Sequence, residues 1–192
     1  MIKNPIQRFQ NALKRAQKKG IPLANAMALA TASKSGKPSA RMMLLKGADE
    51  RGFIFYTNLK SRKAKELFIN RRGSIVFWWP KLEEQIRVEG KIKSVSSKEA
   101  DLYYATRPRG SQIGAWASHQ SAVLMSRREL LRAVREFENK FKGRKVTRPS
   151  FWSGFILVPQ SIEFWHGMPD RLHKREIYFR TKRGWTLRYL CP

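Results

Sequence analysis

No apolar run in this chain exceeds five residues, a length reached at 26–30 and again at 75–79, whereas a membrane-spanning helix needs about 18 or more. What the chain offers instead is short apolar or aromatic segments separated by turn chemistry such as Ser35-Gly36-Lys37-Pro38. Residues 26–31, 41–46, 52–57 and 74–79 are predicted as strands. Then comes 86–93, whose alternation gives one wet face, and after it 154–158, 162–165, 176–180 and 185–189.

Helices interrupt this pattern. Ile6, Phe9, Leu13 and Ala16 recur at helical spacing over 4–19, and Gly20 with Pro22 ends the stretch. Ala64, Leu67 and Phe68 predict a helix over 61–70. Ser96 with Glu99 and Ser126 with Glu129 read as capping boxes, the second leading into Leu130, Leu131, Val134, Phe137 and Phe141. The expectation is an α+β, mainly β, fold: a basic helix and turn over 1–22, then a single barrel domain over 23–192. A chain of 192 residues that is 42% hydrophobic can bury one substantial core, which excludes disorder as its main state. The N-terminus carries no apolar signal segment, and the one cysteine, Cys191, excludes a disulfide framework. A soluble cytoplasmic protein is expected.

Forty Lys and Arg against 14 Asp and Glu give a net charge of +26, and ten of the basic residues precede Asp49, the first acidic one. Such a balance suits a nucleic acid, a phosphorylated small molecule or a solubility strategy, and composition does not choose among them. Glycine-rich dinucleotide and P-loop signatures are absent, and His119, His166 and His173 lack metal-ligand spacing. Phosphate recognition therefore falls to side chains.

Three places qualify. Ser61-Arg62-Lys63 puts a hydroxyl and two cations at a helix start, where free N–H groups already favour an anion. Tyr103, Arg107 and Ser111 are spaced by four, so on a helix they share a face, although Pro108 argues against an unbroken helix. Arg171 and His173 sit two apart, which in an extended segment turns both to one side and Leu172 to the other. Arg41 and Lys46, by alternation, fall on opposite faces of their strand unless a bulge intervenes.

Four motifs stand in order: Arg41-x-x-Leu44-Leu45-Lys46; Phe55-Tyr56-Thr57-Asn58 with Ser61-Arg62-Lys63 behind it; Arg107-Pro108-x-x-Ser111-Gln112-Ile113-Gly114-Ala115-Trp116; and Glu163-Phe164-Trp165 followed by Arg171-Leu172-His173-x-Arg175. Together they resemble the pyridoxamine 5'-phosphate oxidase family, over roughly 26–192. The resemblance implies an FMN-binding split β-barrel and a homodimer with flavin at the subunit interface. It also implies oxidation of pyridoxine 5'-phosphate or pyridoxamine 5'-phosphate by molecular oxygen, giving pyridoxal 5'-phosphate and hydrogen peroxide, in vitamin B6 metabolism. Arg41, Met42, Met43, Leu44, Leu45, Lys46, Tyr56, Thr57, Arg62, Lys63, Gln85, Gln120, Ser121, Trp165 and Arg175 match cofactor positions. Lys46, Tyr103, Arg107, Ser111, Arg171 and His173 match substrate positions, with Arg171 and His173 at the reacting ring. Two positions depart from the family: Leu23, where an acidic residue is common, and Lys174, where Asp or Asn is usual. Both bear on substrate closure and turnover more than on cofactor binding. Two rival readings are a split-barrel flavin reductase of another substrate and a basic nucleic-acid-binding protein on the same scaffold.

Overall fold

The computed structural model of the chain describes residues 4–192; residues 1–3 of the expected N-terminal segment lie outside them. Its elements run α1 (Pro5–Lys18), β1 (Ala26–Ala32), β2 (Pro38–Leu44), β3 (Gly47–Asp49), β4 (Gly52–Asn58), α2 (Arg62–Asn70), β5 (Arg72–Trp79), β6 (Glu84–Ser94), α3 (Ser97–Ala105), α4 (Arg109–Ala117), α5 (Arg127–Lys140), β7 (Trp152–His166), β8 (Lys174–Thr181) and β9 (Gly184–Leu190). The strands form one antiparallel sheet in the order β2-β1-β5-β6-β7-β4-β3, with β8 added to β7 and β9 to β8. The expected barrel-based, mainly β fold is present.

β7 differs most from its expectation. Two strands were predicted around Pro159, and one strand of 15 residues runs through it. Proline is tolerated because the ladder slips there. Glu89 pairs with Ser161 and Gly90 with Pro159, so Gln160 is the extra residue of a bulge, and the N–H that Pro159 lacks falls beside that break in the ladder. The bulge also divides the work of β7. Its first half pairs with β4 from Phe53↔Leu157 to Asn58↔Trp152, and its second half with β8 from Ser161↔Phe179 to His166↔Lys174. Gly90 is required opposite it, since a Cβ there would sit 2.1 Å from the Val158 carbonyl oxygen. The second difference is β2, predicted over 41–46 but ending at Leu44, before β3 opens.

The core lies inside the curl, with Met27, Leu29, Phe53, Phe55, Phe77 and Val88 fully buried. α1 closes it. Asn4 caps the helix by accepting from the Ile6 N–H at 3.0 Å, and Gly20 leaves it at φ +66°. Its apolar stripe inserts Phe9 between Phe53 and Phe77, ring centroids 4.8 and 4.9 Å away. Burying that ring contributes about 2–3 kcal/mol. The cationic face of α1 is tied down by Arg8 to Glu176 and Arg15 to Glu84, both at 2.7 Å.

α3, α4 and α5 form a satellite around Tyr104, Ile113, Phe141, Val146 and Trp152. α5, the strongest helix in the sequence, buries none of its residues fully. Ser96 and Ser126 both cap as expected, accepting from the Glu99 and Glu129 N–H groups. The Glu99 carboxylate, however, is held by Arg51 at 2.8 Å. Among the described residues no helix is long and apolar enough to cross a membrane, and no cluster of His, Cys, Asp or Glu is arranged for a metal.

α2 is fastened to the β1–β2 hairpin by one buried carboxylate. Glu66 accepts from Thr31, from Ser39 at 2.7 Å and from Arg62 at 2.8 Å, with Arg41 at 3.5 Å. Burial raises the pKa of this acid, but the bonds from Thr31, Ser39 and Arg62 and the Arg62 charge outweigh it and bring it down from 4.5 to about 2.

Two outcomes follow. Gly90→Ala is expected to cost about 1–3 kcal/mol by driving a methyl group into the β7 backbone, read as a lower denaturation midpoint at unchanged slope. An unchanged midpoint would show that the bulge can shift. Because the folded-state pKa of Glu66 is depressed, its stabilisation is complete above about 4.5 and is lost as pH falls towards about 2. Glu66→Gln should therefore flatten the acid limb of the stability profile between those values, and an identical limb in the variant would refute the assignment.

Candidate active site

The predicted site residues fall into two groups on the chain. The first lines a cavity of about 790 Å³ walled by Met42, Met43, Leu44 and Lys46 from the end of β2, Tyr56 and Thr57 from β4, and Lys63 from α2, with Tyr103, Arg107, Ser111, Gln120 and Trp152 opposite. Arg41 and Lys46 point different ways, although β2 ends at Leu44 and strand alternation does not extend to Lys46: Lys46 enters the cavity, while Arg41 turns back to the Leu29 carbonyl, Thr31, Ser39 and Glu66. Leu45, matched to the cofactor, is 4% exposed and belongs to the core.

The reading of 103–111 as one helical face gives way to a helix break. α3 ends at Ala105 and α4 begins at Arg109, Pro108 standing between as the doubt about it anticipated. Tyr103, Arg107 and Ser111 nonetheless reach the same cavity, because the break folds the two helices around it. The Ser61 cap of α2 splits its two cations. Lys63 turns inward, 3.1 Å from Gln120 Oε1 and 3.4 Å from Thr57 Oγ1, while Arg62 turns to Glu66 and to a neighbouring recess that Gln120 and Ser121 also line.

Among the described residues no carboxylate lines this cavity. Lys63 is 9% exposed, and burial, reinforced by Arg41, lowers its pKa. Arg107 lies with its guanidinium carbon 4.6 Å from the Trp152 ring centre and 5.4 Å from that of Tyr104. Burial lowers its pKa too, and its Nη1 is buried with no hydrogen-bond partner among the described residues. Tyr56, Tyr103 and Trp152 are nearly parallel, Tyr56 centred 4.0 Å from Tyr103 and 5.4 Å from Trp152. Gly154 makes room for this, as a Cβ there would meet the Tyr56 ring at 2.6 Å. Burial, with the charges of Glu99 and Tyr103, pushes the Tyr56 phenol up to about 12, so it stays protonated. Desolvated cations with neutral neighbours form a receptor for a multiply charged anion.

The second group lies at the far end of β7. Gln85, Trp165 and Arg175 are direct cross-strand neighbours on β6, β7 and β8. The Trp165 ring is 4.5 Å from that of His173, whose Nδ1 accepts from the Met168 N–H at 3.2 Å. The extended geometry expected for Arg171 and His173 is corrected: Arg171 closes a short 3₁₀ turn at φ +59°. Leu172, expected on the side opposite Arg171 and His173, is 71% exposed. Arg175 is aimed by Glu163, which is 3% exposed and also holds Arg87, at 2.7 and 2.6 Å. The departures show their surroundings: Leu23 is exposed at φ +48°, and Lys174 pairs with Glu176 at 3.3 Å.

Sequence reasoning did not single out Trp152, Glu66 or Glu163 as site-forming. For Glu66 a signal existed in its i,i+4 spacing from Arg62, and for Glu163 in its place two residues before Trp165 on the same strand face. Trp152 carried none, since its contact with Arg107 spans 45 positions of sequence and is decided by packing.

Comparison with known proteins bears on the family of the chain. Residues 13–141 match the family described as pyridoxamine 5'-phosphate oxidase, and residues 152–192 match the pyridoxine 5'-phosphate oxidase C-terminal dimerisation region. Proteins named pyridoxine/pyridoxamine 5'-phosphate oxidase from Rubrobacter xylanophilus and Anaeromyxobacter dehalogenans are each 51% identical over 189 residues. Both alignments span 98% of this chain, and they span 87% and 96% of the two relatives. The solved structure of PhzG from Burkholderia lata, in complex with tetrahydrophenazine-1-carboxylic acid, superposes with a TM-score of 0.93 at 32% identity, covering 98% of this chain and 93% of that one. An FMN-binding protein from Nostoc punctiforme shares the fold at a TM-score of 0.76 and 16% identity. With both halves of its sequence matched and near-full-length relatives at half identity, the chain belongs to the pyridoxamine 5'-phosphate oxidase family.

Proposed function

We propose that this protein is an FMN-dependent oxidase that converts pyridoxine 5'-phosphate or pyridoxamine 5'-phosphate to pyridoxal 5'-phosphate with release of hydrogen peroxide, working as a homodimer. The observation that carries the reading is the carboxylate-free cavity holding Lys46, Lys63 and Arg107, with the Arg107 Nη1 buried and unpartnered. Such a site suits two phosphate groups. FMN, when bound, supplies the acceptor for a hydride from the substrate C4' carbon and passes the electrons to oxygen.

The residues divide by role. Lys63, Arg62, Gln120 and Ser121 hold the FMN phosphate end, with Met42 to Lys46, Tyr56 and Thr57 along the cofactor. Arg41 acts from behind through the Glu66 cluster. Lys46, Tyr103, Arg107 and Ser111 take the substrate phosphate. Gln85, Trp165 and Arg175 would hold the flavin ring, and Arg171 and His173 would orient the substrate ring.

The two groups lie at opposite ends of β7, marked by Trp152 and Trp165, which 13 residues of strand separate by up to roughly 43 Å. On this reading the far-end residues come from the second subunit, in keeping with the dimerisation region, residues 152–192, that contains all of them but Gln85. Higher identity to the named oxidases than to PhzG favours the phosphorylated pyridine substrate over a phenazine precursor.

Titration of flavin-free protein with FMN, followed by peroxide release on adding pyridoxine 5'-phosphate, tests the reading. Quenching of flavin fluorescence and stoichiometric turnover are expected. Flavin binding without turnover would favour a reductase of another substrate, and no flavin uptake would sink the reading. Lys63→Ala should weaken FMN by about 1.5–3 kcal/mol, roughly 10- to 150-fold, through loss of a charge-assisted bond. Unchanged affinity would remove Lys63 from the cofactor site. Mixing unfolded Lys46→Ala and Arg171→Ala chains and refolding them together should restore about a quarter of wild-type sites, because each mixed dimer regains one intact site. No recovery above the two parents would overturn the shared site.

A further inference from the structure

We propose that Trp152 is the positioning residue that fixes Arg107 as the phosphate receptor and so makes the enzyme selective for 5'-phosphorylated substrate. The inference rests on reading the cavity as the substrate-phosphate site.

Arg107 has one backbone tether among the described residues, its N–H donating to the Tyr104 carbonyl at 3.2 Å. It lies in the linker between α3 and α4, outside both helices, and it forms no ion pair with any described carboxylate. A long cationic side chain in a linker samples many rotamers, and ordering it on each binding event costs affinity. Trp152 removes that cost. Its indole is 6% exposed and lies face-on to the guanidinium at 4.6 Å, a distance at which a desolvated cation–π contact is strong and the arginine keeps its N–H edge free for an anion.

The platform is itself rigid. Trp152 opens β7 in register with Asn58 of β4, its N–H donates to the Pro149 carbonyl at 3.0 Å, and its carbonyl accepts from Arg148 at 2.7 Å. Arg148 is in turn held by Asp101 at 2.6 Å. Tyr56 backs the indole at an interplanar angle of 6°, and Tyr104 meets it edge-on at 5.0 Å. The sheet thus lends its rigidity to a residue on a loop. Arg107 lines the cavity, and its Nη1, shut off from solvent, has no hydrogen-bond partner among the described residues.

The test uses the FMN-loaded dimer and the variants Trp152→Leu, Trp152→Phe, Arg107→Ala and Arg107→Ala/Trp152→Leu. Trp152→Leu should raise KM for pyridoxine 5'-phosphate, and the inhibition constant of inorganic phosphate, by about tenfold or more, with kcat little changed. Trp152→Phe, which keeps an aromatic face, should recover most of the loss. In the Arg107→Ala background Trp152→Leu should add nothing to KM, since the contact it breaks is already gone. Equal effects of Trp152→Leu with and without Arg107, or a phosphate inhibition constant that does not move, would overturn the proposal. If Trp152→Leu fails to fold, a Trp152→Phe enzyme with a KM shift that persists undiminished in the Arg107→Ala background would do the same. A wild-type enzyme that binds FMN yet does not turn over would instead count against the oxidase reading.

Discussion

The pairing of β6 with β7 is the constraint on which the rest of the structure depends. β7 hydrogen-bonds to β6 along nearly its whole length, and its bulge at Gln160 allows β4 to claim one half of the opposite edge and β8 the other. Without the bulge the two neighbours would have to continue one another in a flat sheet. With it, the sheet turns, and the strand carries Trp152 to one functional group and Trp165 to the other.

Charge placement is the second organising fact. Acids are scarce, 14 against 40 basic residues, and the buried ones are spent on structure. Glu66 takes Arg41 and Arg62, Glu84 takes Arg15, Glu163 takes Arg87 and Arg175, and Glu176 takes Arg8. Each of these glutamates is under one tenth exposed. Removing one partner from such a pair strands the other charge in a poorly solvated place, so these contacts fix positions more than they add net stability. The cavity is built on the opposite rule. Its cations face hydroxyls, amides and aromatic rings, and among the described residues no carboxylate in its wall offsets them.

The strand segments, the α1 stripe and the serine caps were legible because each depends on local periodicity or on a side chain reaching its own backbone three residues away. Lys63, Tyr103, Arg107 and Ser111 were singled out by residue type and spacing, and Lys46 and Gln120 by resemblance; the structure brings all six to one cavity. The merging of two strands into β7 was not, because proline reads as a breaker unless the partner strand is known to slip. Nor was the turn at Asp170 and Arg171, where two successive residues adopt positive φ without a glycine.

The sequence by itself determined a mainly β chain with a capped amphipathic helix in front, an excess of cations and four ordered motifs that mark the family. These are properties of neighbours along the chain, and neighbours are fixed by covalent connection. Only the tertiary structure decided that Arg41 faces Glu66 while Lys46 faces the cavity, that Trp152 underlies Arg107, and that the two groups of site residues occupy opposite ends of one strand. Those outcomes depend on register, on a single extra residue in one ladder and on packing between elements tens of residues apart, where no local pattern carries the information.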